Sequence, residues 1–242
     1  KSTVLRMALP DHSPPQTEPD ESALIVMPVD LGHAVTAAIR ELIMTGAVAP
    51  GDRLVETELS ERFGTSRGPV RDAFKELEQS GLVISVPRRG TFVATLTATD
   101  IHEIYTLRLA LEKLAISTTA TIATDHDIAA MRAAVERLTE AQRTSDRRAG
   151  AEADIAIHRL IVRTAGHERL TEAWERLADQ TLLLMAELMD LLLDVQHAAG
   201  DHDALVNAIS DHDVAGAEAA LTGHLLAASQ AMIDNASSTN ES

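Results

Sequence analysis

The second half of the chain contains no stretch with the pattern of a β-strand. From Thr99 to Ile233, apolar residues recur at helical spacing in successive segments separated by Gly166, Gly200 and short polar breaks. The six segments are 99–123, 125–144, 150–166, 167–195, 201–211 and 213–234. Aromatic residues make up only 2% of the chain, and Ala and Leu dominate its apolar set, which favours helices over sheets. This pattern predicts an antiparallel α-helical bundle over residues 97–236.

Residues 31–96 have a different pattern. Helical spacing over 32–46 is followed by a turn at 47–54, a short helix at 56–64 and a second helix that starts near Ser66. Two β-rich runs in 82–96 are separated by "PRRG", which predicts a hairpin with Arg88 and Arg89 at its tip.

The segment "RFGTSRGPVRDAFKEL" (62–77) combines a helical pattern with Gly64, Gly68 and Pro69. A helix capped by the side chain of Thr65 or Ser66 places Pro69 in its first turn, where a missing N–H has no partner to lose. Its apolar face is Val70, Ala73, Phe74 and Leu77, and a neighbouring basic face is Arg67, Arg71 and Lys75.

This order of elements predicts a winged helix-turn-helix, in which the second helix of the pair enters the DNA major groove. The overall acidity does not oppose DNA binding. Residues 31–94 hold eight Lys/Arg and eight Asp/Glu, so the formal net charge of −16 lies entirely outside them. The alternative is a small helical module whose basic edge is simply solvated.

The rest of the sequence bears on disorder at the termini, on the redox compartment and on membrane insertion. The Pro-rich, acidic residues 1–30 and the residues 237–242 are predicted to be disordered. The chain has no cysteine, which excludes a disulfide framework and fits a reducing cytoplasm. The most apolar region, 181–195, is interrupted by acidic residues and is too short to cross a membrane.

Four polar residues lie where the bundle's helices should be apolar. Asp154 and His158 are four residues apart on one face, while His202 and His224 each lie in an apolar stripe. Burial of these groups is costly unless they are paired. One carboxylate and three imidazoles suit a divalent transition metal such as zinc or nickel. Hydrogen-bonded core histidines in a metal-free bundle are the alternative.

Arg108 raises a similar choice. It shares a stripe with Glu112, four residues later, so the two can form an ion pair within the helix. Alternatively, its guanidinium faces a cavity and binds a ligand carboxylate in a bidentate manner.

Residues 46–94 ("GAVAPGDRLVETELSERFGTSRGPVRDAFKELEQSGLVISVPRRGTFVA") resemble the winged-helix signature of the GntR family of bacterial transcription regulators. The motifs "YTLRLALEKLA", "ADIAIHRLIVRTAGHERL" and "DHDALVNAISDHDVAGAEAALTGHL" resemble the FCD effector domain of its FadR-like branch. The resemblance covers about residues 32–233. Six helices rather than seven are typical of the shorter form of this domain.

The resemblance implies roles for individual residues. The recognition-helix contacts to bases and phosphates correspond to Ser66, Arg67 and Arg71, and the wing that reaches the minor groove to Gly90 and Thr91, assisted by Arg88 and Arg89. The ligands of the metal-binding branch correspond to Asp154, His158, His202 and His224, and its carboxylate-binding residue to Arg108. Two positions depart from the family pattern. Gly68 replaces the usual Thr, and Thr57 replaces an Arg of the fatty-acid-responsive founder, so that member's operator is not expected here.

These features together predict a homodimeric bacterial repressor that binds a palindromic DNA operator. A small organic acid would be the effector and would bind at the metal in the bundle. The protein would be cytoplasmic and nucleoid-associated when bound to DNA. The alternative is a metal-dependent hydrolase, because three His and one Asp can activate water.

Overall fold

A computed structural model describes residues 29–187 and 198–239 of the chain. The N-terminal domain contains α1 (Val29–Met44), β1 (Arg53–Leu54), α2 (Glu56–Arg62), α3 (Arg67–Gln79), β2 (Val83–Val86) and β3 (Gly90–Val93). The C-terminal domain contains α4 (Ala98–Ile122), α5 (Asp125–Arg143), α6 (Arg147–Thr164), α7 (Glu168–Glu187), α8 (Ala198–Ser210) and α9 (Val214–Thr239). The architecture is mainly helical and has the predicted form, a winged helix-turn-helix followed by a helical bundle.

Two helices extend past the predicted limits of order. α1 begins at Val29, inside the predicted leader, and α9 continues to Thr239, inside the predicted tail. Helix ends commonly vary by one or two residues, and their exact positions are the least predictable part of a helix. The rest of the predicted leader (1–28) and tail (240–242), and the end of the segment 167–195, lie outside the described residues.

The start of α3 corrects one expectation. Ser66 occupies the N-cap position with extended backbone angles, but its side chain makes no capping hydrogen bond. A capping side chain accepts from the second or third backbone N–H of the helix, and the third residue here is Pro69, which has none. The predicted apolar face is confirmed, since Val70, Ala73, Phe74 and Leu77 are buried.

The predicted turn at 47–54 also contributes a strand. β1 pairs antiparallel with β3, with Arg53 opposite Phe92, and β3 pairs antiparallel with β2, with Ile84 opposite Phe92. The sheet order is β1-β3-β2, so the hairpin becomes a three-stranded wing. A two-residue strand is too short to show the alternation that identifies strands in a sequence.

Side-chain caps define the starts of three bundle helices. Thr97 with Asp100, and Thr124 with Asp127, form reciprocal capping boxes at the starts of α4 and α5. The Asp146 carboxylate accepts a hydrogen bond from the Ala149 N–H at the start of α6. These caps fix where each helix begins.

The two domains share a contact between α1 and α7. Leu183 of α7 is fully buried in the apolar core of the N-terminal domain. Arg40 of α1 forms an ion pair with the largely buried Asp179 of α7, and Glu41 accepts two hydrogen bonds of 2.7 Å from Arg148 of α6. The bundle has its own core around the fully buried Trp174. α7 therefore belongs to the packing of both domains.

Candidate metal centre and nucleic-acid interface

Four side chains from three helices meet inside the bundle. Asp154 and His158 project from α6, His202 from α8 and His224 from α9, and one potential ligand atom from each lies within 4.8 Å of the others. The His158 Nε2 atom is 3.2 Å from His224 Nε2 and 3.3 Å from His202 Nε2. The Asp154 Oδ1 atom is 3.2 Å from His202 Nε2. The structure thus brings together the four residues that the sequence predicted as ligands.

Apolar neighbours explain why these polar groups point inwards. His202 lies on the same face as Leu205, Val206 and Ile209, which are all buried, so packing of that face carries the imidazole into the interior. Ile161 and Ala165 are also buried, and they continue the face of Asp154 and His158 toward the C-terminal end of α6.

Glu112 of α4 determines which nitrogen of His158 faces the cluster. The Glu112 Oε2 atom lies 2.6 Å from His158 Nδ1, and Glu112 Oε1 accepts hydrogen bonds from Trp174 Nε1 at 2.6 Å and Arg108 Nε at 2.9 Å. Since an ionised carboxylate can only accept, His158 Nδ1 donates and its Nε2 presents a lone pair to the cluster. A carboxylate behind a ligating imidazole is the arrangement that orients histidine ligands in metal sites.

The charges of the cluster favour metal binding. Burial, followed by the neighbouring His202 and His158, lowers the pKa of His224 to about 3, so this imidazole is neutral near pH 7. Burial alone would raise the pKa of Asp154, but the three imidazoles outweigh it and hold that pKa below its ordinary value. Burial also opposes ionisation of Glu112, but Arg108, His158 and Trp174 lower its pKa below the ordinary range. Neutral imidazoles and an ionised carboxylate are the forms that ligate metals.

The spacing of the ligand atoms also fits a metal. Metal–nitrogen bonds of about 2.0–2.1 Å place two ligand nitrogens of a tetrahedral site roughly 3.3 Å apart. The Nε2–Nε2 distances of 3.2 and 3.3 Å agree with this value. The Asp154 Oδ2 atom is buried and has no hydrogen-bond partner, which a cation would satisfy. The cluster can therefore hold a divalent metal.

Arg108 combines both roles considered from the sequence. It is fully buried and pairs with Glu112 through Nε at 2.9 Å, which is the ion pair within α4. Its Nη2 atom has no hydrogen-bond partner. Glu112 raises the pKa of Arg108 in spite of the opposing effect of burial, so the guanidinium is charged. One side of the guanidinium is thus anchored and the other still has donors available.

Tyr105, one turn before Arg108, was not identified from the sequence. It is buried, its hydroxyl also has no hydrogen-bond partner, and its ring lies 5.2 Å from the Arg108 guanidinium carbon. Burial raises the pKa of Tyr105. The charge of Arg108 lowers that pKa, and the charge of Asp154 raises it. Its spacing of three residues from Arg108 was the available signal. No sequence signal connects Trp174 with Glu112, because the two residues are far apart in the chain.

In the described part of the chain, the buried side-chain atoms without a hydrogen-bond partner are Tyr105 Oη, Arg108 Nη2 and Asp154 Oδ2. The Tyr105 ring lies 5.2 Å from the Arg108 guanidinium carbon, and Glu112 connects Arg108 to His158, so these atoms lie in one region beside the histidines. Two of the atoms are donors and one is an acceptor. Such groups are rare in folded proteins, and a bound ion is one of the recognised explanations for them.

The residues predicted to contact DNA lie on the surface of the other domain. Ser66, Arg67 and Arg71 are exposed at the start of α3. The Arg71 Nε atom donates to both carboxylate oxygens of Glu56 on α2, at 3.0 and 2.9 Å. Glu56 therefore orients Arg71, while Arg67 and Ser66 project from the first turn, which is the part of a recognition helix that reaches base edges.

The wing carries a second basic group. Arg88 and Arg89 are exposed at its tip, and Gly90 and Thr91, both half-buried, begin β3. Gly90 has a φ of +114°, and a side chain there would meet the Arg53 guanidinium at 3.0 Å. Arg53 of β1 was not predicted as a DNA contact, because its two-residue strand has no pattern that would place it in the sheet. With Arg88 and Arg89 it forms a three-arginine wing.

No helix in the described residues is long and apolar enough to cross a membrane.

Two family models match this chain. The model described as "Bacterial regulatory proteins, gntR family" matches residues 31–93, and the model described as "FCD domain" matches residues 103–227. The first range covers the winged helix, and the second covers Arg108 and the four residues Asp154, His158, His202 and His224.

Several relatives of this chain are named as transcriptional repressors. The chain is 34% identical over 198 residues to the "Probable D-xylose utilization operon transcriptional repressor" of Paenarthrobacter nicotinovorans, covering 80% of this chain and 86% of that protein. It is 27% identical over 187 residues to the gluconate operon transcriptional repressor of Bacillus licheniformis, covering 75% and 76% of the two chains.

Solved structures share the fold. E. coli McbR/YncC superposes with a TM-score of 0.76 at 21% identity, and a GntR regulator from Rhodococcus sp. RHA1 with 0.76 at 22% identity. Each comparison covers 85% of this chain and 98% of the other. At such identities the likeness establishes the architecture only. The family and the relatives are transcription regulators and not enzymes, in agreement with the class predicted from the sequence. The chain belongs to the GntR family of bacterial transcription regulators and carries an FCD domain.

Proposed function

We propose that the protein is a repressor that binds a palindromic DNA operator as a homodimer and responds to a small organic acid bound at a metal in its bundle. The metal would be zinc or nickel, held by Asp154, His158, His202 and His224. The protein would act in the bacterial cytoplasm, on the nucleoid.

The observation that carries the proposal is the group of three unsatisfied buried atoms beside the histidines. A metal satisfies Asp154 Oδ2, and a carboxylate satisfies the two donors, Arg108 Nη2 and Tyr105 Oη. Because Arg108 is already anchored by Glu112, binding a second carboxylate through Nη2 requires little reorganisation. When bound, the metal would supply a positive charge that orients the effector's carboxylate or hydroxyl oxygen.

Helix α7 provides a physical connection to the DNA-binding domain. Trp174 donates to Glu112 beside the site, and Asp179 and Leu183 farther along the same helix contact the winged helix. An effector that binds two arrangements of α7 with different affinities would shift the equilibrium between them. The expected result is a change in the position of the two winged helices on the operator.

The DNA-binding half of the proposal rests on exposed arginines. Arg67 and Arg71 on α3 would reach bases and phosphates, together with Ser66. Arg88, Arg89, Gly90 and Thr91 would place the wing against the minor groove. Two copies related by a two-fold axis would read two half-sites.

The effector experiment uses the single tryptophan as a reporter. Trp174 lies next to Glu112, so its fluorescence should respond to occupation of the site. The zinc-loaded protein is titrated with a panel of hydroxy acids, sugar acids and dicarboxylates, and with the matching amides. We expect saturable changes with some acids, none with the amides, and loss of the response after chelation. A response equal for acids and amides would contradict carboxylate recognition.

Elemental analysis of gently purified protein tests the metal itself. We expect about one transition metal ion per chain. A metal content near zero that added zinc and nickel cannot restore would leave a metal-free structural cluster as the remaining interpretation.

A further inference from the structure

We propose that Arg53 binds a phosphate of the DNA backbone between the groove read by α3 and the groove reached by the wing, and that Gly90 holds its guanidinium in place. The inference rests on the DNA binding of the proposed function and adds a contact outside the recognition helix and the wing tip. Arg53 is exposed and belongs to β1, which is an edge strand of the sheet.

The guanidinium of Arg53 lies against the backbone of Gly90. A Cβ atom on Gly90 would be 3.0 Å from Arg53 Nε, 3.3 Å from Nη2 and 3.6 Å from Cζ, so the guanidinium lies next to the space that a side chain would occupy. The register of the sheet explains this contact. Arg53 is opposite Phe92, and Gly90, two residues earlier on β3, is therefore its diagonal neighbour on the same face. Gly90 leaves room for the long side chain that crosses from β1.

A second arginine lies on the same face of the sheet. The Arg89 guanidinium carbon is 5.8 Å from the centre of the Phe92 ring, and Phe92 is the cross-strand partner of Arg53. Both arginines therefore lie beside one aromatic ring. Two positive charges held in the same small region repel each other, and a bound anion offsets this repulsion.

The protein itself supplies no such anion. Asp52 is next to Arg53 in the chain, but its carboxylate accepts a hydrogen bond from the Ala49 N–H at 2.9 Å and so belongs to the preceding turn. Within the described residues, neither Arg53 nor Arg89 forms an ion pair. The donors of Arg53 are thus available to an external group, and a planar guanidinium matches the geometry of a phosphate.

The position of Arg53 in the domain indicates which phosphate it would bind. Its side chain contacts the wing at Gly90, and three residues later Glu56 accepts two hydrogen bonds from Arg71 of the recognition helix. Arg53 therefore lies in a short segment that connects the wing to α3. In the proposed complex these two elements enter neighbouring grooves, and the sugar–phosphate backbone separates neighbouring grooves.

The salt dependence of DNA binding tests the contact. An operator duplex is selected from random DNA with the wild-type protein, and its binding is measured by fluorescence anisotropy over a series of KCl concentrations. Each phosphate contact that is lost lowers the slope of log Kd against log[KCl] by about 0.9. Arg53→Gln removes one contact from each of two half-sites, so we expect the slope to fall by about 1.8 and Kd at low salt to rise at least about tenfold.

Two further variants serve as controls. Arg53→Lys keeps the charge and should keep a slope close to that of the wild type. Arg137→Gln removes an exposed arginine of α5 and should change neither the slope nor Kd. Thermal unfolding should be the same in all four proteins, because the substituted side chains are exposed. A slope for Arg53→Gln equal to that of Arg137→Gln would overturn the proposal.

A duplex of equal length and shuffled sequence distinguishes a phosphate from a base. Phosphates carry no sequence information, so Arg53→Gln should weaken binding to the shuffled duplex by the same factor as binding to the operator. A loss confined to the operator would assign Arg53 to a base edge and overturn the phosphate contact.

A double-mutant cycle tests the role of Gly90. Gly90→Ala adds a Cβ atom beside Arg53 Nε and also strains the backbone, because the φ of Gly90 is +114°. The strain is present with or without Arg53 and so cancels in the cycle. We expect Gly90→Ala to raise Kd at least about threefold more in the wild type than in Arg53→Gln. Equal effects in the two backgrounds would show that Gly90 does not hold Arg53 in place.

The outcomes separate this inference from the proposed function. A wild-type protein that binds its operator, together with an Arg53→Gln variant of unchanged slope, would overturn the phosphate contact and leave the repressor. A wild-type protein for which no operator can be selected would refute the DNA binding of the proposed function, and the phosphate contact with it.

Discussion

The two domains place their charged residues in opposite environments. In the winged helix, Arg67, Arg71, Arg88 and Arg89 are exposed to solvent, and the Glu56–Arg71 pair is partly exposed. In the bundle, Arg108, Glu112 and Asp154 are buried with three histidines, and each depends on the others for its charge state. Exposed pairs add little stability, whereas breaking a buried pair is costly. Substitutions in the first set should change binding alone, while those in the second should change both binding and folding.

The largest effect should follow His158→Ala. It removes a predicted metal ligand and leaves Glu112 buried without one of its donors, so we expect a loss of roughly 3–5 kcal/mol in the unfolding free energy. Zinc affinity should fall more than about 100-fold, beyond what indirect ligand contacts contribute. Chemical denaturation and zinc titration measure the two effects. The control His126→Ala removes an exposed histidine of α5 and should change neither. Unchanged zinc binding in His158→Ala would show that the cluster is not the metal site.

Arg67→Ala, in contrast to His158→Ala, should weaken binding and leave the stability of the protein almost unchanged. Loss of a base or phosphate contact should weaken operator binding by about 1–3 kcal/mol, while stability changes by less than about 0.5 kcal/mol. An operator selected from random duplex DNA allows this to be measured by fluorescence anisotropy. Arg137→Ala, which removes an exposed arginine of the bundle, is the matched control. Equal losses in the two variants would mean that binding depends on general charge rather than on α3.

Lowering the pH should destabilise the metal-free protein through the bundle. The folded-state pKa of His224 is about 3, well below its ordinary value, so between these two values the unfolded chain binds a proton that the folded protein does not. Stability therefore falls as the pH drops through this window, by about 2 kcal/mol between pH 7 and pH 5 for an unfolded pKa of about 6.5.

Urea denaturation after chelation tests this pH dependence. The carboxylates Asp154 and Glu112 lose their protons at lower pH in both states and contribute little above pH 5. The slope of the unfolding free energy against pH, between pH 7 and pH 5, should decrease in His224→Asn. It should remain unchanged in Arg67→Ala. An identical slope in all three proteins would assign the pH dependence elsewhere.

The smallest effect should follow Trp174→Phe. It removes the indole N–H that donates to Glu112 at 2.6 Å but keeps an aromatic ring in the core. We expect a loss of about 1.5 kcal/mol in stability, as for a hydrogen bond to a charged group. The response of operator binding to an effector should also weaken, since α7 loses its contact with the site. Because this variant lacks the tryptophan reporter, calorimetry is used in place of fluorescence to measure effector binding. An intact response would exclude Trp174 from the connection between the domains.

Elements with strong local patterns were predicted well from the sequence. The six bundle helices and α3 appear where the apolar spacing placed them, because a helix face is a local property of residues three and four apart. β1 was missed, because a two-residue strand has no pattern of its own and forms only by pairing with β3. The Ser66 cap was predicted from residue type, but its side chain makes no capping hydrogen bond, and Pro69 removes one of the two N–H groups that it could bind.

The candidate site was predictable only in part. Asp154, His158, His202 and His224 each lie in an apolar stripe, which predicts that they point into the core. Spacing alone did not establish that they meet, and the resemblance to the GntR family supplied that expectation. Tyr105, Glu112 and Trp174 complete the surroundings of the cluster, and their roles depend on interactions between residues 46 to 62 positions apart in the chain.

The sequence by itself determined the family, the helical bundle, the basic start of α3 and the separation of charge between the domains. These properties follow from local spacing and residue type, which do not depend on how the helices cross. The tertiary structure decided that Arg108, paired with Glu112 in its own helix, still presents a donor without a partner, that Arg53 joins the wing, and that Glu112 meets both His158 and Trp174. These properties depend on which helices and strands lie side by side, and residues distant in the chain become neighbours only through packing.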